Sequence, residues 1–80
     1  MDFFLDVPQD QFETANDLMR SRTDIVPLDS YPHPDDQDFH RMHFEDRERR
    51  DAIKRLLRTN DVECYKIDGD LTSSGLFIYQ

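Results

Sequence analysis

What most limits the folds open to this chain is the spacing of its apolar residues, which come in short stretches with a period of either two or about 3.6. Asp2 to Val7 alternates, with Phe3, Leu5 and Val7 on one side and Asp2, Phe4 and Asp6 on the other. That is the pattern of a strand with one buried face. Pro8 opens a helical stretch, and Asp10 followed by Glu13 makes a capping-box-like start. Phe12, Ala15 and Met19 then supply the apolar stripe of a helix over about residues 9–22. Residues 24–31 suit a short extended segment, which Pro27 confines to a sheet edge because proline donates nothing to a ladder. Residues 39–45 alternate again, with His40, Met42 and Phe44 opposite Phe39, Arg41 and His43.

Asp46 is a good N-cap, Glu48 sits in the first turn, and Ala52, Ile53, Leu56 and Leu57 form the stripe of a second helix over 47–59. Residues 62–67 read as a strand, Asp68-Gly69 as a turn and 75–80 as a final strand. Between the second and third strands, residues 31–38 form an acidic, proline-containing loop.

The resulting order, β-α-β-β-α-β plus one extra C-terminal strand, predicts an α+β fold on the ferredoxin-like split β-α-β plan. Both helices pack on one face of an antiparallel sheet in that plan. Phe12, Ala15, Met19, Ala52, Ile53, Leu56 and Leu57 then lie against Phe3, Leu5 and Val7. If 24–31 is merely loop, a β-α-β-α-β-β sandwich results. Residues 1–80 are expected to form one small domain. Leu, Ile, Val and Phe number 20 of the 80 residues, above the level of about 20% below which highly charged chains are usually disordered. A thin core is therefore expected.

No run approaches the roughly 18–20 apolar residues of a membrane span, and the acidic start Met1-Asp2-Phe3-Phe4-Leu5-Asp6 is not a secretory signal. Cys64, the single cysteine, fits a reducing cytosol and a packed, inert thiol, so a cytoplasmic location is expected. With two glycines in the chain no Gly-rich phosphate loop is possible. No serine has the context of a nucleophile, and no carboxylate pair has the apolar surroundings that acid–base work needs, Asp2 and Asp6 beside Phe4 coming nearest. The expectation is a protein that is not an enzyme and needs no cofactor.

The net charge of −8 is unevenly spread. Residues 1–46 carry twelve acids against three bases, whereas 47–58 carry six bases against two acids. Arg47, Arg50, Lys54 and Arg58 fall at helical spacing, and the pattern places them on the helix face away from the core. They are either a solvated stripe paired with nearby acids or a docking stripe for an acidic protein or a phosphate backbone. Nucleic-acid binding is disfavoured, because the rest of the chain carries −12 and would repel phosphates. An aromatic sheet face with Phe4 and Tyr65 exposed is expected, without the basic motif of an RNA-recognition surface.

His33, Asp35, Asp36, Asp38, His40, His43 and Glu45 are potential metal ligands, but their spacing fits no established site. In a strand, His40 and His43 point to opposite faces. The last strand, Leu76-Phe77-Ile78-Tyr79, is apolar on both faces at an expected sheet edge, which invites strand addition or pairing between copies.

The function these features favour is a non-enzymatic acidic partner-binding protein, a small regulator or inhibitor that occupies a surface of a larger protein. Small acidic inhibitors of nucleic-acid-handling enzymes, phage-encoded ones among them, share this profile by analogy of composition. In this reading acids including Asp2, Asp6, Asp10, Asp17, Asp35, Asp36 and Asp38 meet a basic groove. The expected contact residues are Asp35, Asp36, Asp38, Phe77, Tyr79, Arg47, Arg50, Lys54 and Arg58. The alternatives are a self-assembling homodimer built through Phe77 and Tyr79, and a metal-binding domain using His33, His40 and His43.

Overall fold

In a computed structural model, alternation in the first residues becomes strand β1 (Asp2–Pro8), which lies between β3 (Phe39–Phe44) and β4 (Tyr65–Gly69) and pairs antiparallel with both. The structure describes residues 2–69 and 78–79, with backbone alone for Asp68, Gly69, Ile78 and Tyr79. Strand β2 (Asp29–Pro32) adds outside β3, and β5 (Ile78–Tyr79) adds outside β4. The order β2-β3-β1-β4-β5 differs from that of a four-stranded ferredoxin-like sheet.

Register decides what each face carries. Phe3, Leu5 and Val7 stand opposite Phe44, Met42 and His40, so these side chains share one face. Helices α1 (Phe12–Arg22) and α2 (Arg47–Thr59) both pack on that face. Leu5, Val7, Met42 and Phe44 close a core with Ala15, Met19, Ile53 and Leu57, and Phe12 and Leu56 line its margin. Val62 and Cys64, expected inside a strand, are buried in this core just before β4 begins. Burial pushes the Cys64 thiol above its ordinary range, partly offset by Arg58 and Lys54.

Several boundaries differ from the sequence expectation. Residues 9–11 are a single 3-10 turn, and neither it nor α1 has a side-chain cap, so Asp10 and Glu13 form no capping box. Residues 24–28 are not strand; β2 takes in Tyr31 and Pro32 instead, at the outer edge where proline is tolerated. Asp68 and Gly69 continue β4 rather than turning. Of the expected strand 75–80 only Ile78–Tyr79 is described as strand, and residues 75–77 and 80 lie outside the described residues.

Helix α2 ends as predicted, for reasons visible in its caps. The Asp46 carboxylate accepts the Arg49 N–H at 2.8 Å. At the other end Asp61 takes a left-handed conformation (φ 62°), and the Asp61 and Val62 N–H groups reach back to Arg58 O and Leu57 O. That is a Schellman stop with Asp where glycine is usual, and Val62 packs into the same core as Leu57.

Replacing the working cap, Asp46→Ala, is expected to cost about 1 kcal/mol in urea denaturation. Asp10→Ala, which removes no cap bond, is expected to stay within about 0.5 kcal/mol of the parent.

Candidate functional site

The sheet face opposite the helices holds the densest chemistry in the described chain. Alternation puts Asp2, Phe4 and Asp6 of β1 there, facing His43 and Arg41 of β3, Ile67 and Tyr65 of β4, and Tyr31 of β2 beyond. Phe4, Asp6, Arg41 and Ile67 are at most 2% exposed. The expected open aromatic platform is therefore absent: Phe4 is fully buried, and of the two residues named for it Tyr65 alone reaches solvent.

Asp6 and Arg41 are register partners, and the guanidinium grips the carboxylate at both oxygens, Nε to Oδ1 at 2.8 Å and Nη2 to Oδ2 at 3.0 Å. The same guanidinium sits 5.3 Å from the Phe4 ring centre. Nη2 also lies 2.9 Å from Nε2 of His33, which is itself 8% exposed. Tyr31 stands opposite Arg41 from the outer strand. Burial raises its phenol pKa above the ordinary value; Arg41 pulls it down, and Asp29, Asp6 and Asp2 add to the rise. A second pair, His43 Nε2 and Asp2 Oδ1 at 3.2 Å, is more open.

This network reaches the acidic loop through His33. His33 is the loop's first residue, and the Asp35 N–H points at its Nδ1 at 3.0 Å. His33 N–H donates to Phe39 O, Phe39 N–H to Asp36 O, Asp38 N–H to the Asp36 carboxylate, and Gln9 N–H to Asp38 O at 2.7 Å. A loop read as merely solvated is thus closed on itself and tied to the 3-10 turn after β1. Asp35 and Asp38 are exposed and Asp36 half-buried. Asp38 meets Asp10 and Glu63, which come from other segments, around a shallow depression floored by Pro8 and Phe39. Phe39 is braced edge-on by Tyr65 at 5.7 Å.

The other expected site residues fare differently. Asp6 presents no charge to a partner, being buried against Arg41. Arg50 is not on a solvent stripe: it is 0% exposed, donates from Nε to Asp51 at 2.8 Å and from Nη1 to Ile67 O, and shares the Phe3 ring with exposed Arg47. The apolar faces of Phe3 and β4 draw it inward. Lys54 and Arg58 instead join Arg55 and Lys66 around a notch beside α2. Phe77 lies outside the described residues; Tyr79 stands in β5 opposite Ile67, with its backbone alone described.

The three histidines do not converge. His40 faces the helices, stacked on Phe12 at 3.7 Å, where burial lowers its pKa; His33 and His43 are on the far face with different acids. No group of three or more potential ligands among the described residues could hold a metal ion.

Sequence reading named Asp10 among the partner-facing acids but missed the Asp6–Arg41–His33 network, the place of Glu63 beside Asp10 and Asp38, and the roles of Arg55 and Lys66. Opposite charges at matching positions of two alternating strands were the available signal for the first. No helix among the described residues is long and apolar enough to cross a membrane. No family model, curated protein or solved structure matches the chain.

Breaking the buried pair from one side, by Asp6→Asn or Arg41→Met, is expected to cost about 3–5 kcal/mol in chemical denaturation. Replacing both, Asp6→Leu with Arg41→Met, is expected to recover most of that loss, because no charge is then left buried alone.

Proposed function

We propose that this chain is a non-enzymatic partner-binding protein, a small regulator or inhibitor whose acidic end occupies a cationic surface of a larger protein, such as a nucleic-acid-handling enzyme. The observation that carries the reading is the anchored loop. Asp35, Asp36 and Asp38 are held by backbone and side-chain hydrogen bonds, and Asp38 lines a depression with Asp10 and Glu63. A fixed array of charges loses little conformational entropy when a partner arrives. It also directs a field outward from a chain of net charge −8, which speeds encounter with a basic groove. Phe39 and Pro8 at the floor suit the aliphatic stem of a lysine or arginine whose head meets Asp38 or Glu63.

We read the sheet as a ferredoxin-like split β-α-β elaborated by β5, a reading supported by β1 lying between β3 and β4 with β2 outside. We place the protein in the cytosol on the strength of its buried thiol. A second reading, a homodimer joined edge to edge, draws on β5 being outermost in the sheet. Sedimentation of the parent and of Phe77→Lys separates the two: a parent monomer excludes the dimer.

Co-purification from the native host tests the main reading. A partner captured at about 0.1 M salt is expected to be released towards about 1 M, where the screening length falls from about 10 to about 3 Å. Reversing Asp35, Asp36 and Asp38 together to Lys is expected to slow association about tenfold or more while leaving the fold intact. Capture that resists both salt and the triple change contradicts docking by charge.

A further inference from the structure

We propose that the C-terminal half of α2 and strand β4 form a binding site for a compact phosphorylated group, built by Lys54, Arg55, Arg58 and Lys66. These four cations and Asp51 line one open notch. Four cations around one notch repel one another locally, and an anion seated among them would relieve that repulsion. Asp51 is already engaged by the Nε of Arg50 at 2.8 Å. Among the described residues none of the four cations makes an ion pair, although Arg41, Arg49 and Arg50 all do. Acids lie close by, since Arg58 also borders Asp61 and Glu63, and yet no pair forms among the described residues.

Lys66 supplies a second, independent argument. It stands opposite Leu5, so it belongs to the sheet face that the helices cover. An apolar side chain at that position would extend the core; a lysine there is a departure of the kind found at functional positions. Half-buried, it delivers its ammonium to the notch from a different element. The α2 dipole accounts for a cation in the last turn, which is Arg58. It does not account for Lys66. Arg58 is also held in place, its Nη2 donating to Cys64 O at 2.8 Å, so one guanidinium edge is fixed before any ligand arrives.

The chemistry of the lining selects the ligand. Every residue around the notch is charged, and none is an apolar or aromatic residue that would receive a peptide side chain or a ring. Two guanidinium and two ammonium side chains gathered around one notch suit an oxyanion with several negative oxygens, as in adjacent phosphates. A long phosphodiester backbone is disfavoured, because the charge outside 47–58 is −12 and would meet it beyond the notch.

Titration calorimetry of the full chain with inorganic pyrophosphate at low ionic strength tests this. Saturable one-to-one binding is expected, weakened about tenfold by Lys66→Gln and by Arg58→Gln, the loss of one charge-assisted contact each. Arg49→Gln, which removes a cation of α2 paired with Glu45 and Asp46, is expected to leave affinity unchanged. Circular dichroism establishes that each variant is folded. A soluble inositol polyphosphate and vesicles bearing the same headgroup separate a free ligand from a lipid, and binding to either supports the phosphate site. No saturable pyrophosphate binding, equal weakening by Arg49→Gln, or binding of a single-stranded oligonucleotide without pyrophosphate binding overturns the proposal.

Discussion

A two-point grip of Arg41 on Asp6, buried across the β1–β3 pairing, is the interaction on which the rest of the arrangement turns. Taking both charges out of water is costly, and a pair of packed apolar residues would serve stability as well or better. What the pair supplies is register. A slip of one residue by either strand turns its side chains to the other face, which would put one charge among the core residues and leave the other buried away from it. The same slip would take that strand's apolar residues out of the core. The central pairing of the sheet is thus specified twice, by apolar alternation on one face and by charge on the other.

From that pair the consequences run outward to the loop. The Arg41 guanidinium lies 2.9 Å from His33, the hinge between β2 and the acidic segment, and the loop then closes on Phe39 and on Gln9. Charge that would otherwise sit on a wandering tether is held in a closed loop whose Asp38 lies beside Asp10 and Glu63. Stability and presentation of the acidic surface are therefore coupled through one guanidinium. The basic notch of α2 owes nothing to this network; it depends on Asp46 and Asp61 setting the ends of the helix and on register delivering Lys66.

Much of the architecture was legible because it rests on local periodicity. Ala52, Ile53, Leu56 and Leu57 with Asp46 in front place α2 at about 47–59, where it lies, since stripe and cap agree. The α+β class, the paired helices and the antiparallel strands follow from the same alternation. What sequence did not disclose depends on pairing between distant segments. Arg50 reads as an exposed cation from its helical phase alone, and only the nearness of Phe3 and the Ile67 carbonyl explains its burial. Asp6 and Arg41 are unremarkable until β1 and β3 are set side by side. The loop at 31–38 reads as a loop and its turn at Asp36 follows a local rule, but its tie to Gln9 spans a contact no local rule supplies.

The central claim, that His33 docked on Arg41 holds the acidic loop in a fixed form, is tested most directly by amide hydrogen exchange in the parent and in His33→Ala. The account predicts that the Asp35 amide, which points at His33 Nδ1, and the Asp38 and Phe39 amides, which close on Asp36 within the same loop, exchange at least about tenfold faster in the variant, while amides in the middle of α2 such as Ile53 keep their protection. Unchanged exchange at Asp35, Asp38 and Phe39 would contradict it, because the loop would then owe its form to something other than the buried Asp6–Arg41–His33 network.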